Sequence, residues 1–405
     1  MAVAQTSQPA SLKRSLGLGL TTLYGLGTTI GAGIYVLIGS IAGKAGHLAP
    51  WSFVSAAIIA GLAAACFAQL AKRHPQSAGE AHYVLVAFRR HWLSIIVGGL
   101  VVLTAIASAG TIARGAAGYL GLYVPLPEWA LLALTVALLA GLCAWGMSES
   151  ARFAGVVTLI EVGGILLVIG AGLFFARSDI DPQSLLPTAL SDLSPILAGT
   201  LIAFFAFVGF EHMVNVAEEV KEPERVLPRA ILLTLVITTV LYVTLAAVAV
   251  SVIEPEELAN SNAPLALIWE GAGGAAWVLA VIGTLSTLNG LLAMIILGSR
   301  VLYGLARQGS LPGALGRVHR RRQTPLVATA LIAAAVLLAA LALPITELAE
   351  ISSFFTLAVF SAVAAALFKL LKDEGRPWNR RLVPLLAIVA ILSFLAFDLT
   401  QRLSG

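Results

Sequence analysis

Gly25-Leu26-Gly27-Thr28-Thr29-Ile30-Gly31-Ala32-Gly33-Ile34 lies inside the first long apolar run of the chain, residues 16–43. Four of these ten residues are glycine. Each glycine in a helix interior costs about 1 kcal/mol relative to alanine. In a bilayer the consequence is sharper, because a broken helix frees N–H and C=O groups that hydrocarbon cannot satisfy. Such a break persists where it is packed in protein or lines a polar cavity. The stretch therefore reads either as a seam of small residues for close helix packing or as a helix interrupted at mid-membrane.

The rest of the chain supports a membrane setting. Of its 405 residues 59% are hydrophobic and 11% charged, with a mean hydropathy of +0.94. Soluble domains carry about 25% charged residues. About 20 apolar residues cross a bilayer. Apolar runs at 16–43, 49–71, 92–119, 128–147, 153–176, 194–217, 228–253, 274–306, 325–344, 348–371 and 382–398 predict about eleven transmembrane helices in an all-α integral membrane protein. Residues 75–90 are too short and mixed to cross, and read as an interfacial helix. Lys13-Arg14 before the first run mimics a signal peptide, but that run is too long and glycine-rich, so it reads as an uncleaved span.

Orientation follows from the basic residues. With a cytoplasmic N-terminus, all 25 lysines and arginines fall on the cytoplasmic side except Lys44, Arg114, Arg177 and Arg402. Arg114 is expected near the outer end of the third span, where its stem can snorkel. The Arg-rich run at 317–322 reads as a topology anchor. No basic cluster interleaved with aromatics suggests nucleic acid. Cys66 and Cys143 sit alone in apolar runs and imply neither a disulfide framework nor a metal site. No cofactor motif is present.

A second unlikely helix centre lies in the sixth span: Phe204-Phe205-Ala206-Phe207-Val208-Gly209-Phe210-Glu211-His212. The first and sixth spans are five apart, and an odd offset gives the two five-span halves opposite topology. Paired interruptions in two inverted halves point to a secondary-transporter site. An interrupted helix presents bare N–H groups and a partial positive charge at one new end, suited to a carboxylate. The other end presents bare carbonyls, suited to an ammonium. An α-amino acid carries one of each, and glycine lets it approach the backbone closely. No charged side chain stands between Leu16 and Ile41, which fits such a site.

Gly31-Ala32-Gly33-Ile34, Phe204 through Glu211, Ala217-Glu218-Glu219-Val220-Lys221-Glu222-Pro223 with Leu227-Pro228-Arg229-Ala230-Ile231, and Gly298-Ser299-Arg300 through Pro312 together resemble the amino acid–polyamine–organocation (APC) transporters. The nearest branch is the bacterial amino acid permeases related to cationic amino acid transporters. The resemblance runs from about residue 16 to 372. It implies a LeuT-like fold, a 5+5 inverted repeat with discontinuous helices 1 and 6. The expected division is a cytoplasmic tail at 1–15, repeats at 16–177 and 178–372, and an additional helix 11 with the C-terminus at 373–405. It further implies a multi-pass protein of the bacterial cytoplasmic (inner) membrane. Carried over by position, the N–H groups of Gly31, Ala32 and Gly33 would hold the substrate carboxylate. The carbonyls of Thr29, Phe205, Ala206 and Val208 would hold its amino group, with Phe207 and Phe210 as gating aromatics.

One position departs from the family. Many relatives carry a lysine in the fifth span where Glu161 stands; there the ammonium is thought to replace a sodium ion between the first and eighth spans and to make transport proton-coupled. Ionisable groups at this depth are functional candidates by default. Glu161 is therefore expected to couple transport to protons, or alternatively to help bind a cation such as sodium, or to be a structural acid. Across from it the eighth span carries Thr284, Ser286, Thr287 and Asn289, and Ser286 is the expected neighbour. Glu211 is expected to brace the broken sixth span or to line the inner pathway. His212 is a candidate proton relay or a solvated residue at the pathway mouth. The loop 218–225 reads as a solvated linker, with salt bridges between the sixth and seventh spans as its family role.

The function expected is secondary active transport of amino acids by alternating access, in the proton-driven form as the resemblance implies, with exchange or export as the alternative. A non-transporting sensor would want a relay domain. A membrane enzyme would want paired aspartates, His-Glu-x-x-His or a Ser–His pair at depth, and none is present. The lack of an acid in the first-span stretch favours a neutral, small or branched substrate over a cationic one.

Overall fold

The structure, a computed structural model, describes residues 12–31, 33–121, 124–175, 183–261 and 264–404. All regular structure in these residues is helical. The first apolar run is not one helix but two, α1 (Leu18–Ile30) and α2 (Gly33–Ala45). The next elements are α3 (Ala49–Arg73), the short α4 (Gly79–Phe88), α5 (His91–Gly121), α6 (Glu128–Trp145) and α7 (Met147–Phe175). The sixth run is again split, into α8 (Leu193–Phe207) and a 3₁₀ stretch, Phe210–Glu219. Then come α9 (Pro223–Val252), two short helices α10 (Pro255–Asn260) and α11 (Pro264–Gly271), α12 (Ala276–Arg307), α13 (Leu326–Ala342), α14 (Ile345–Asp373) and α15 (Trp378–Ser404). Among the described residues, eight helical segments are long and apolar enough to cross a membrane.

The two interrupted elements cross near the middle of the bundle. α1 packs on α7 and α9, α2 on α8, and α3 on both α8 and α9. Small residues make this close approach possible: α3 turns Ala49, Ala56, Ala60, Ala63 and Ala64 inward. The outward faces carry large apolar side chains such as Ile58, Leu138, Leu159, Phe174 and Val240. An apolar belt this extensive on a water-soluble protein would be an association surface; on a chain with eight helical segments apolar enough to cross a membrane among its described residues it is the outer face of a membrane bundle.

On the side where the chain enters α1, the first and second halves are tied together. Ser15 N–H and Leu16 N–H donate to Glu219 O at 2.9 and 3.0 Å, and Lys221 N–H donates to Leu16 O at 2.8 Å. Arg300 of α12 meets the Glu219 carboxylate through Nη2 at 2.9 Å and Nε at 3.2 Å, with both side chains fully buried. Its remaining donors face Cys143 Sγ and Ser299 Oγ. Beside this pair, Glu218 accepts from Tyr303 OH at 3.0 Å and from Ser77 N–H at 3.2 Å.

These contacts correct one expectation and complete another. The acidic start of the 218–225 loop is not a solvated linker: Glu219 is buried on Arg300, which is itself no surface anchor. The exposed part of that loop holds the Glu222–Arg225 pair at 3.4 Å. Arg114 does not snorkel alone. Its Nη1 donates to Ala340 O at 2.7 Å and Leu343 O at 3.1 Å, and its Nη2 lies 3.3 Å from Glu128. The guanidinium thus satisfies carbonyls that the end of α13 leaves bare.

Removing one partner of a buried ion pair costs about 3–5 kcal/mol, because the other charge is left unpaired. Arg300→Met is expected to lower the melting temperature of the detergent-solubilised protein substantially. The double variant Arg300→Met/Glu219→Gln, which removes both charges, should recover part of the loss in the same melting measurement.

Candidate functional site

The first break is a backbone event at Gly31, whose φ of 38° and ψ of −163° end α1. A methyl group built on Gly31 meets no heavy atom within 4 Å, so open space flanks this turn. Ala32 lies outside the described residues; Gly33 begins α2. The second break follows Phe207: Val208 is extended at φ −64°, ψ 134°, and Gly209 turns the chain at φ 132°. The two breaks touch. The Gly209 α-carbon lies so close to the Thr28 carbonyl and the Thr29 α-carbon that a side chain there would collide with backbone. Thr28 Oγ1 lies 2.9 Å from both Gly25 O and Gly209 O, so one hydroxyl serves both broken elements. Thr29 Oγ1 donates to Gly25 O at 2.8 Å.

Two of the four carbonyls expected to take an ammonium converge on one hydroxyl. Tyr242 OH of α9 lies 3.1 Å from Ala206 O and 3.2 Å from Thr29 O. The hydroxyl has one proton, so each oxygen keeps acceptor capacity for another donor. Phe205 O accepts from Val208 N–H at 3.2 Å. Thr28, Gly31, Phe205 and Val208 are half-buried, so accessible surface persists where the breaks meet. Phe207 and Phe210 are buried. Phe207 packs with Phe53 and Tyr242, and Phe210 with Phe67 and Phe360.

Glu161 lies on α7 where it meets α1 and α12, and it is fully buried. Asn289 Nδ2 reaches Glu161 Oε1 and Thr158 Oγ1, each at 3.3 Å. Tyr35 OH of α2 donates to the Glu161 carbonyl at 2.8 Å. Gly27 of α1 lies directly against Thr158 and Asn289. Ser286 lies beside the Glu161 carboxyl, but its Oγ and Glu161 Oε2 are both buried without a hydrogen-bond partner. Thr284 and Thr287 bond along their own helix, to Ala280 O and Thr284 O. Ser286 is thus the neighbour expected, Asn289 adds a direct contact, and Tyr242 and Tyr35 enter the site unforeseen. Tyr242 reaches it from α9, far along the chain, and Tyr35 from the first turn of α2 beside the first break, and no local pattern marks either.

Glu211 sits one turn past the second break. Its Oε2 accepts from Gly209 N–H at 2.8 Å, which braces the turn, and its Oε1 lies 3.5 Å from His212 Nε2. Among the described residues no group of three or more His, Cys, Asp or Glu side chains could hold a metal ion.

Two membrane helices broken where they meet are the arrangement of a secondary transporter. The amino acid permease family profile matches residues 16–399, and the chain belongs to that family. It is 30% identical to the branched-chain amino acid permease BcaP of Bacillus subtilis, across 96% of this chain and 88% of that protein. It is 32% identical to the vacuolar cationic amino acid transporter 4 of Arabidopsis thaliana, across 89% of this chain and 64% of the plant protein. The crystal structure of MhsT in complex with L-phenylalanine superposes with a TM-score of 0.64 over 95% of this chain and 99% of that chain, at 15% identity, a likeness of fold. The fold is thus the LeuT-like one expected, and the protein is an amino acid transporter, not an enzyme.

Gly31 and Gly209 both have positive φ but differ in surroundings, which separates strain from collision. Gly31→Ala adds about 1–3 kcal/mol of backbone strain into open space. Gly209→Ala adds a similar strain and drives a methyl into the backbone of α1, an overpacking cost of the same order. Thermal melting in detergent should rank wild type above Gly31→Ala above Gly209→Ala.

Proposed function

We propose that this protein takes up a neutral amino acid across the bacterial cytoplasmic membrane by proton-coupled alternating access. The observation that carries the proposal is the contact between the two breaks, where Gly209 abuts Thr28 and Thr29 and one tyrosine hydroxyl spans both elements. In this reading the chain crosses eleven times with its N-terminus in the cytoplasm, as repeats 16–177 and 178–372 followed by a further helix at 373–405.

The substrate carboxylate takes the N–H groups of Gly31, Ala32 and Gly33, at the N-terminal end of α2, where the helix dipole favours an anion. The ammonium takes the carbonyls of Thr29, Phe205, Ala206 and Val208, two of which hold Tyr242 OH with acceptor capacity to spare. Phe207 and Phe210 back the broken helices with apolar rings. The α1 stretch offers no acid to a basic side chain, and the name of the Bacillus relative, a branched-chain amino acid permease, agrees with a neutral cargo.

Glu161 carries the coupling proton, with Asn289 and Ser286 as its α12 partners. A buried carboxyl held by one weak donor, with its second oxygen unpartnered, is suited to gain and lose a proton as α1 moves against α7. Two measurements in proteoliposomes test the proposal. A panel of labelled amino acids with and without an inward pH gradient should show gradient-driven accumulation of leucine, isoleucine, valine or alanine and weak uptake of lysine and arginine. Glu161→Gln should still bind substrate but lose the pH-driven component; an unchanged response to the gradient discards the coupling role.

A further inference from the structure

A second set of buried ionisable groups lies apart from Glu161, on the side of the breaks where the chain enters α1. The sequence treats Glu80 as part of an interfacial helix. In the fold, α4 packs against α5, α14 and the 3₁₀ stretch 210–219, and Glu80 is 1% exposed. Glu80, Glu211 and His212 line one cavity of about 20 Å³, space for a single water molecule. Around it, α5, α12 and α14 present Thr104, Leu297 and Phe360 and no titratable group. Tyr83 is the titratable neighbour of Glu80 on its own helix. Among the described residues lining the cavity there is no lysine or arginine.

Two carboxyls in so small an apolar space, without a fixed cation, do not both stay ionised. The hydrogen bonding is incomplete in the same place. Glu80 Oε1 accepts from Asn215 Nδ2 at 3.0 Å, but Glu80 Oε2, Thr104 Oγ1 and His212 Nδ1 are buried without partners. Buried polar atoms are seldom left so. The cluster is also wired to the broken helix, since Glu211 holds Gly209 N–H and Asn215 Oδ1 accepts from Gly79 N–H at 3.2 Å.

We propose that Glu80 and Glu211, with His212, form a proton-binding site separate from Glu161, and that a proton bound there is carried in the transport cycle. The inference rests on the proton-coupled reading above. A proton arriving at the pair weakens the carboxylate hold on Gly209 N–H, so occupancy of the site acts on the turn that touches α1. The water-sized cavity links the two carboxyls to Thr104.

The test is uptake by proteoliposomes holding a trapped pH-sensitive dye, so that substrate and proton entry are read together. A gradient of one pH unit supports up to about tenfold accumulation for one proton per substrate. Glu80→Gln keeps the acceptor for Asn215 but carries no proton at neutral pH. It should lower pH-driven accumulation by up to about tenfold and halve substrate-dependent proton entry, leaving the share carried by Glu161. Glu80→Asp keeps an acid on a shorter stem and should restore both, with a shifted pH midpoint. Thr104→Val, which removes only a cavity hydroxyl, should also shift that midpoint. A merely structural glutamate would be replaced better by glutamine than by aspartate. If Glu80→Gln accumulates and admits protons like the wild type, the inference is overturned while proton coupling stands. If Glu80→Gln cannot be purified, wild-type pH midpoints in both Glu80→Asp and Thr104→Val overturn it instead. A wild-type protein indifferent to the gradient overturns both the inference and the reading beneath it.

Discussion

Everything in this molecule depends on what happens to peptide groups where a helix stops inside a bilayer. Hydrocarbon offers such groups no partner, so each break must find one within the protein. Here the two breaks supply each other. Thr28 Oγ1 lies within hydrogen-bonding distance of carbonyls on both sides of the crossing, and Tyr242 OH lies between Thr29 O and Ala206 O. Glu211 takes the N–H that Gly209 would otherwise leave bare. The half-buried main chain near Gly31 and Val208 is then what remains for the ligand in the proposed reading.

This arrangement explains why the site is poor in charged side chains while charge is gathered around it. The nearest ionisable groups stand behind the broken helices: Glu161 on the α7–α12 side, and Glu80, Glu211 and His212 toward the entry of α1. Both groups adjoin the broken elements, Asn289 beside Glu161 lying against Gly27 and Glu211 holding Gly209 N–H. In the proposed cycle a change of protonation in either place acts on the backbone at the breaks without a charged side chain entering the junction.

Local pattern made some of this readable before any coordinates. The glycines around residue 31 and the Gly209 turn are visible because a membrane helix does not tolerate them without a reason, and their five-span offset carried the fold. The position of Glu161 was readable for the same reason, an acid deep in an apolar run. Partners were not readable. Asn289 and Ser286 stand three residues apart on one face of α12, and side-chain reach rather than sequence decides which bonds the carboxyl. Tyr242 and Arg300 looked like an ordinary span residue and an ordinary loop-side cation. Glu80 sat in a segment too short to cross, and nothing in 75–90 shows that the segment is pressed into the bundle. The acidic loop misled most, since an exposed run and one with a single buried member have the same composition.

The short bridge between Leu16 and Val220 has a mechanical meaning. It fastens the root of α1 to the far end of the 3₁₀ stretch, and Arg300 bolts that joint to α12. The two half-helices on this side then share one fulcrum, and neither tilts without dragging the other. They can swing away from α12 as a single leaf with their main-chain bonds intact, and the buried ion pair is the latch that such a swing has to break.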